Sequence, residues 1–428
     1  MMRRTPHYQE YLQILKEELI PAMGCTEPIA IALAAAKARE TLGMLPQRCR
    51  VLVSGNMVKN AKAVTVPNTG GLQGIPASVA IGVVAGRGDL DLEVLSQVTE
   101  EQIAETKAYL ETHSIVMEQA KDCPLLYIRV EVEAEGHTAV CEIAEMHTNV
   151  VLLQRDDEIL FQAEKKKTEG GSAPSNRDLL TVKEIIDFAD CVEIADIAPT
   201  IQQQIDFNTA IAQRGIQEKW GAGVGRTILK TCNHDDVAEL ARAAAAAAAD
   251  ARMGGCTMPV VIVAGSGDQG LAVSLPVIVY AHQMKSSEEE LYRALVVASL
   301  VAIHEKESVG RLSAFCGSVS AGCAAAAGIA YLHGDRYDVI AHTITNGLGI
   351  CSGMVCDGAK PACAGKIAAA VEAGILGWRM YRNEQCQFLP GEGILGADVE
   401  KTIANVGRMA SQGMRQTDQE ILNIMLEQ

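Results

Sequence analysis

The sequence predicts an α+β fold: a large, mainly helical portion with small-residue-rich helices, and a smaller antiparallel β-containing portion. Three observations predict it. Aromatic residues make up 4% of the 428 residues while hydrophobics reach 48%, so alanine, valine, isoleucine and glycine carry the packing, which suits closely apposed helices. The stretch "LLYIRVEVEAEGHTAVCEIAEMHTNVVLLQRDDEILF" (125–161) alternates apolar and polar residues about an "EGH" turn, as an antiparallel meander does. Beyond about residue 180, helical periodicity alternates with glycine-rich turns.

In chain order, Tyr8, Tyr11, Leu12, Ile14, Leu15, Leu19 and Ile20 recur with helical spacing until Pro21 ends the run. A second helix follows in "GCTEPIAIALAAAKARETLG", with Thr26 as cap, Pro28 in the first turn and Gly43 past the end. "RVLVSGN" (50–56) and "AVTVPNTGG" (63–71) read as strands, and "TEEQIAETKAYLETH" as a polar helix. The meander comes next. The polar, glycine-containing segment 164–178 reads as a linker or loop, followed by helices to the end. The expected organisation is N-terminal helices (1–44) packing on the helical portion, a β-containing portion (45–165), and a mainly helical portion (166–428).

A net charge of −16 repels nucleic acid and anionic membrane surfaces, which points to small-molecule partners. The first residues contain no apolar signal-peptide core, since Glu10, Lys16, Glu17 and Glu18 interrupt it. Alanine-rich windows are short and charge-flanked, so a cytoplasmic location is expected.

Thirteen cysteines in such a chain argue against a disulfide framework. Cys49, Cys123, Cys141, Cys191, Cys232 and Cys386 stand in ordinary surroundings and read as small buried hydrophobes. Others differ. Cys316 precedes a Gly-Ser stretch and is expected at a helix N-terminus, where exposed N–H groups favour a thiolate. Cys323, seven residues on, lies in the alanine-rich helix and reads as packing. Cys356 and Cys363 flank "DGAKPA", a loop that can turn both sulfurs to one centre, with Cys351 as a competitor. Thiolates without histidine suit an iron–sulfur cluster or zinc, although ferredoxin spacings are absent. Cys25 begins a helix beside Thr26 and Glu27.

"VIVAGSGDQGLAVSLPV" spells G-x-G-x-x-G with Gly265, Gly267 and Gly270. A dinucleotide fold needs a helix opening there, and Pro276 reads as interrupting it. The preferred reading is a glycine-rich loop whose bare N–H groups receive a small anion such as a carboxylate.

Together "GCTEP", "SGN…KN", "P-x-TG", "HTN", "GSG-x-QG", "K-x-S-x-GRLSAFCG" and "GMVCDGAK-x-x-C" resemble, in order and over essentially the whole chain, the L-cysteine desulfidases and the wider serine dehydratase alpha-like (UPF0597) group. The resemblance implies a [4Fe-4S] cluster in place of pyridoxal phosphate. Its ligands would be Cys316, Cys356 and Cys363, with Cys25 as ligand or acid/base. The "S-S-H-T" motif of the serine enzymes is missing, and "GCTEP" puts a cysteine where they have a serine. That departure favours L-cysteine over L-serine as substrate. The implied activity is β-elimination of cysteine to pyruvate, ammonia and sulfide, with a small amino acid as the partner and a homo-oligomer as the possible assembly.

Candidate bases for the α-proton are Cys25, Lys306 and Lys360. Thr26 and Glu27 would touch substrate beside Cys25. Asn68, Thr69 and Gly70, or the Gly265–Gly270 loop, would meet the substrate carboxylate, and His147, Thr148 and Asn149 would cover the site and bind the amino group. The alternatives are an L-serine dehydratase using the same cluster and a non-catalytic metal- or small-molecule-binding protein.

Overall fold

Residues 6–163 and 175–427 are described by a computed structural model. Most of the segment expected to be a linker, 164–174, therefore lies outside the described residues.

The N-terminal part begins with helix α1 (Tyr8–Glu18), a short strand β1 (Pro21–Met23) and helix α2 (Thr26–Leu42). Strand β2 (Arg48–Val53) leads into helices α3 (Gly55–Ala61), α4 (Gly74–Ala85) and α5 (Glu100–Thr112). Thr99 and Gln102 close a reciprocal capping box at the start of α5, as the "TEEQ" sequence allows. Strands β3 (Ser114–Gln119), β4 (Tyr127–Ala134), β5 (His137–Ala144), β6 (Val150–Arg155) and β7 (Glu158–Gln162) complete a six-stranded sheet of order β3-β2-β4-β5-β6-β7.

All neighbouring strands run antiparallel except β2 and β3. The expected meander is β4 to β7. Its first turn places Glu135 and Gly136 at positive φ, the backbone a two-residue hairpin loop needs. Register follows the alternation: Cys49, Val51 and Val53 pair with Val132, Val130 and Ile128 on the buried face. The other face carries cross-strand ion pairs of Arg50 with Glu118 and Glu131.

Residues 63–71 are not a strand. Asn68, Gly70 and Gly71 have positive φ and fold the segment into a tight turn, closed by Val66 N–H to Leu72 O at 2.9 Å. Nor does α2 join the helical portion. It is apolar nearly all round, and lies between the sheet and α4.

The second part is helical: α6 (Val182–Cys191), α7 (Ile194–Gln217), α8 (Val224–Thr231), α9 (Val237–Met253), then strand β8 (Pro259–Val261), then α10 (Gly267–Met284), α11 (Glu288–Val309), α12 (Gly317–Leu332), α13 (Tyr337–Cys351), α14 (Cys363–Glu384), α15 (Val399–Arg408) and α16 (Arg415–Glu427). Helices α9 to α14 form its centre. Alanine and glycine bring their backbones together. A Cβ on Gly322 of α12 would stand 2.3 Å from Ala370 O of α14, and one on Gly374 of α14 would stand 2.3 Å from Gly322 O. Helix α10 runs through Pro276, which therefore does not interrupt it. No described helix is long and apolar enough to cross a membrane.

The two parts are joined at the small β1–β8 ladder, with Ile262 N–H bonded to Ile20 O at 3.0 Å. That pairing carries Cys25 to the turn ahead of α10.

Candidate active site

A cavity of about 100 Å³ opens where four helix starts meet. Cys25 is the N-cap of α2, Cys316 the N-cap of α12, Cys363 the first residue of α14, and Ser266 the N-cap of α10. All four line it, together with Cys356, Thr26, Glu27, Asn60, Arg252, Asp268, Gln269, Lys306 and Arg311.

Backbone pairing fixes two of the sulfurs. The segment before α12 and the loop after α13 form a one-bridge ladder, Phe315 with Val355, flanked by Cys316 N–H to Met354 O at 3.0 Å and Cys356 N–H to Ala314 O at 2.6 Å. Cys316 and Cys356 therefore sit on adjacent strands of chain. Cys363 N–H is bonded to Lys360 O at 2.9 Å, which turns the third sulfur back to the same hollow. Cys25, Val64 and Met253 form a small apolar cluster, with Ala359 and Cys363 against it. Cys351 does not compete, because its Sγ bonds Gly347 O at 3.2 Å inside α13.

Burial dominates the electrostatics. It pushes the thiols of Cys25, Cys316 and Cys363 up, Cys363 to about 12, and outweighs the helix N-terminus expected to favour a Cys316 thiolate. The same burial brings Lys306 down to about 8, opposed by the neighbouring Cys356 and Cys316. Among the described residues Lys306 Nζ makes no hydrogen bond or ion pair, whereas Lys360 Nζ is ion-paired with Asp357 and also bonds its carbonyl at 3.1 Å. A free, readily neutral amine thus faces the thiols at Lys306 and not at Lys360.

Glu27 accepts from Thr26 Oγ1 at 3.1 Å and from Asn60 Nδ2 at 3.0 Å, and its Oε1 lies 4.0 Å from His147 Nε2. Arg252 is paired with Asp268 at 2.8 Å, and Arg311 with Glu18 at 2.6 Å. Four buried acceptor or donor atoms around the hollow lack a partner among the described residues: Asn60 Oδ1, Gln269 Oε1, Arg252 Nε and His147 Nε2. Unsatisfied polar atoms converging on one cavity mark a place for a polar ligand.

Several expected site residues are engaged elsewhere. Asn68 Nδ2 bonds Leu95 O and Thr69 Oγ1 bonds Val66 O, so these two and Gly70 build their own turn, and Pro67 packs under Gly24 to support the approach to Cys25. His147 reaches Glu27, while Asn149 Nδ2 bonds Ala144 O, and it and Thr148 shape the turn between β5 and β6. The segment Val263–Ser266 is a closed turn in which the N–H groups of Val263 and Ser266 bond each other's carbonyls. Gly267 and Gly270 serve close approach: a Cβ would stand 2.4 Å from Arg252 Nε at the first and 2.1 Å from Val261 O at the second. Gly265 contributes its carbonyl, which accepts from Thr26 Oγ1 at 3.3 Å.

A family model described as serine dehydratase alpha chain matches residues 89–423. A UPF0597 protein of Desulfitobacterium hafniense is 51% identical over 428 residues, covering 100% of this chain and 99% of its own. The chain belongs to the serine dehydratase alpha-like, UPF0597 family. Relatives of the same name from Treponema denticola and Finegoldia magna are 45% and 44% identical, each over 98% of this chain and at least 98% of their own.

Within this UPF0597 chain the residues that could hold a cluster are Cys316, Cys356 and Cys363. No group of three or more His, Cys, Asp or Glu among the described residues is close enough to hold a single metal ion. Ligands of a cubane bind different irons around a common space, and these three thiols line one hollow. Lys306 and Lys366 lie within electrostatic reach of them, as an anionic cluster would need, so the donor set fits. Sequence reasoning missed Asn60, Arg252, Asp268, Gln269 and Arg311. The available signal was charge in apolar context: Arg252 closes an otherwise buried alanine helix.

Proposed function

We propose that this chain is an iron–sulfur-dependent L-cysteine desulfidase that eliminates sulfide from cysteine to give pyruvate and ammonia. The observation that carries the reading is the shared hollow: three thiols, a free amine lowered to about 8 and unsatisfied polar atoms face one small space. When bound, a cluster would supply a Lewis-acidic iron to activate the departing sulfur.

The residues of the chain do the rest. Arg311 and Arg252 offer positive charge to the substrate carboxylate, while Glu27 and Asn60 Oδ1 receive its ammonium group. Lys306 Nζ, as the neutral amine, takes the α-proton as the Cβ–S bond breaks, leaving 2-aminoacrylate, which tautomerises and hydrolyses in water. Cys25 Sγ stays protonated and can return a proton to the leaving sulfide. Enclosure by α2, α10, α12 and α14 limits water during the elimination.

The family model's own description, serine dehydratase, keeps one second reading in view: loss of hydroxide from L-serine. The test is anaerobic purification of the full chain, with iron and inorganic sulfide counted and pyruvate measured from cysteine and serine. The reading expects clustered iron, faster turnover of cysteine, and loss of both iron and activity in Cys356→Ser. Turnover of serine alone would establish the second reading. Bound iron with neither activity would leave a binding protein.

A further inference from the structure

A second thiol pair lies behind the cavity, in the helical stack. Cys323 is fully buried in the middle of α12, and Cys351 ends α13, half-buried. Both sulfurs occupy the same turn of α13. Cys351 Sγ bonds Gly347 O at 3.2 Å, and Cys323 Sγ would be 2.8 Å from a Cβ on Gly347, so that bare residue makes room for it. Each thiol acts on the other: Cys323 draws Cys351 below the usual thiol range, and Cys351 pushes Cys323 above it.

Beside them stands Glu305 of α11, 3% exposed, with neither carboxyl oxygen hydrogen-bonded among the described residues; Ser320 Oγ nearby is also without a partner. Burial keeps this carboxyl protonated well above the usual range, and the titratable groups acting on it and by it are these two thiols. A buried carboxylic acid with neither oxygen hydrogen-bonded is costly, and a proton-transfer role would account for its retention.

We propose that Cys323 and Cys351 are a redox-active dithiol that closes to a disulfide under peroxide, with Glu305 as its proton relay. The half-exposed Cys351 thiol reduces one hydrogen peroxide, giving a sulfenic acid and one water. Cys323 then attacks that sulfur: the S–S bond forms and the S–O bond breaks. One oxygen of Glu305 gives its proton to the leaving hydroxide while the other takes the proton of Cys323. The acid is regenerated, a second water leaves, and two thiols have lost two electrons to one peroxide. The inference does not depend on the proposed reaction. It concerns thiols outside the cavity, although Cys351 begins the five-residue path to Cys356.

The test exposes the anaerobically purified full chain to limiting hydrogen peroxide, blocks free thiols and maps linked peptides by mass spectrometry. A Cys323–Cys351 link should form, reversible by dithiothreitol. In Cys323→Ser the sulfenic acid on Cys351 should persist and be captured by a dione probe. Glu305→Gln, neutral and of equal size, should retain the helical circular dichroism and slow link formation at least about tenfold. Absence of the wild-type link, no captured sulfenic acid, or an unchanged rate in a folded Glu305→Gln protein would each overturn the proposal.

Discussion

The sheet and the helical stack bury their surfaces in opposite ways. The sheet turns one face of β-branched residues onto α2 and leaves the other to charged ladders, and its edge strand β7 exposes Ile159, Leu160 and Phe161. The stack is closed on all sides by residues too small to fill much space, so helix backbones touch. The difference decides where chemistry can live. A sheet face holds side chains in rows. Converging helix ends, brought near by alanine and glycine, enclose a hollow and strip water from Lys306 and the thiols. The sheet part sends His147 from the turn between β5 and β6 toward Glu27, which lines the hollow.

The sharpest way to break this comparison is Lys306→Met. Activity should fall by about 10²–10⁴-fold, and kcat/KM of the native protein should rise with pH through about 8, as the amine loses its proton. The same substitution should stabilise the fold. Lys306 falls from 10.5 to about 8 on folding, so the folded state binds the proton more weakly. Below pH 8 the buried charge costs about 3 kcal/mol. Between pH 8 and 10.5 the unfolded chain holds a proton that the folded chain has released, so native stability rises with pH and the advantage of methionine shrinks. Urea titrations at pH 7 and pH 10 check the sign.

Next comes a change of volume. Gly322→Val places carbon against the backbone of α14 and should cost about 3 kcal/mol, read as a lower denaturant midpoint. The smallest effect belongs to the sheet: Ile159→Ala, on a position 53% exposed, should change stability by no more than about 0.5 kcal/mol. Equal costs at the two positions would erase the distinction between the regions.

The same contrast governs what could be read in advance. Thr26 is not the cap of α2, since Cys25 holds that position and Thr26 opens the helix. Alternation over 125–161, Pro28 in the first turn of α2 and Gly43 past its end are local signals, and they survive folding. So do the thiols, because cysteine before "GS" and around "DGAK" is unusual in itself. Pro276 misled because tertiary packing holds α10 through it, and Asn68–Gly70 misled because a turn consumes its polar groups as easily as a ligand does. Arg252 with Asp268, and Lys306 with Cys316, become neighbours only through the β1–β8 ladder and the Phe315–Val355 bridge, which no local pattern encodes. Glu305 looks like any helical glutamate until α12 and α13 cover it.

One contact binds the hollow to a distant part of the chain. Lys59 Nζ, buried in α3, is held by Asp418 of α16 at 2.5 Å and by Ser313 O at 3.3 Å, and Gly358 rests so closely on the Lys59 carbonyl that a Cβ would stand 2.4 Å from it. Asp418 lies 55 positions after Cys363, so every sulfur of the hollow leaves the ribosome before the carboxylate that fastens this corner. The ion pair that fastens this corner can therefore form only after all the residues that line the hollow have been made.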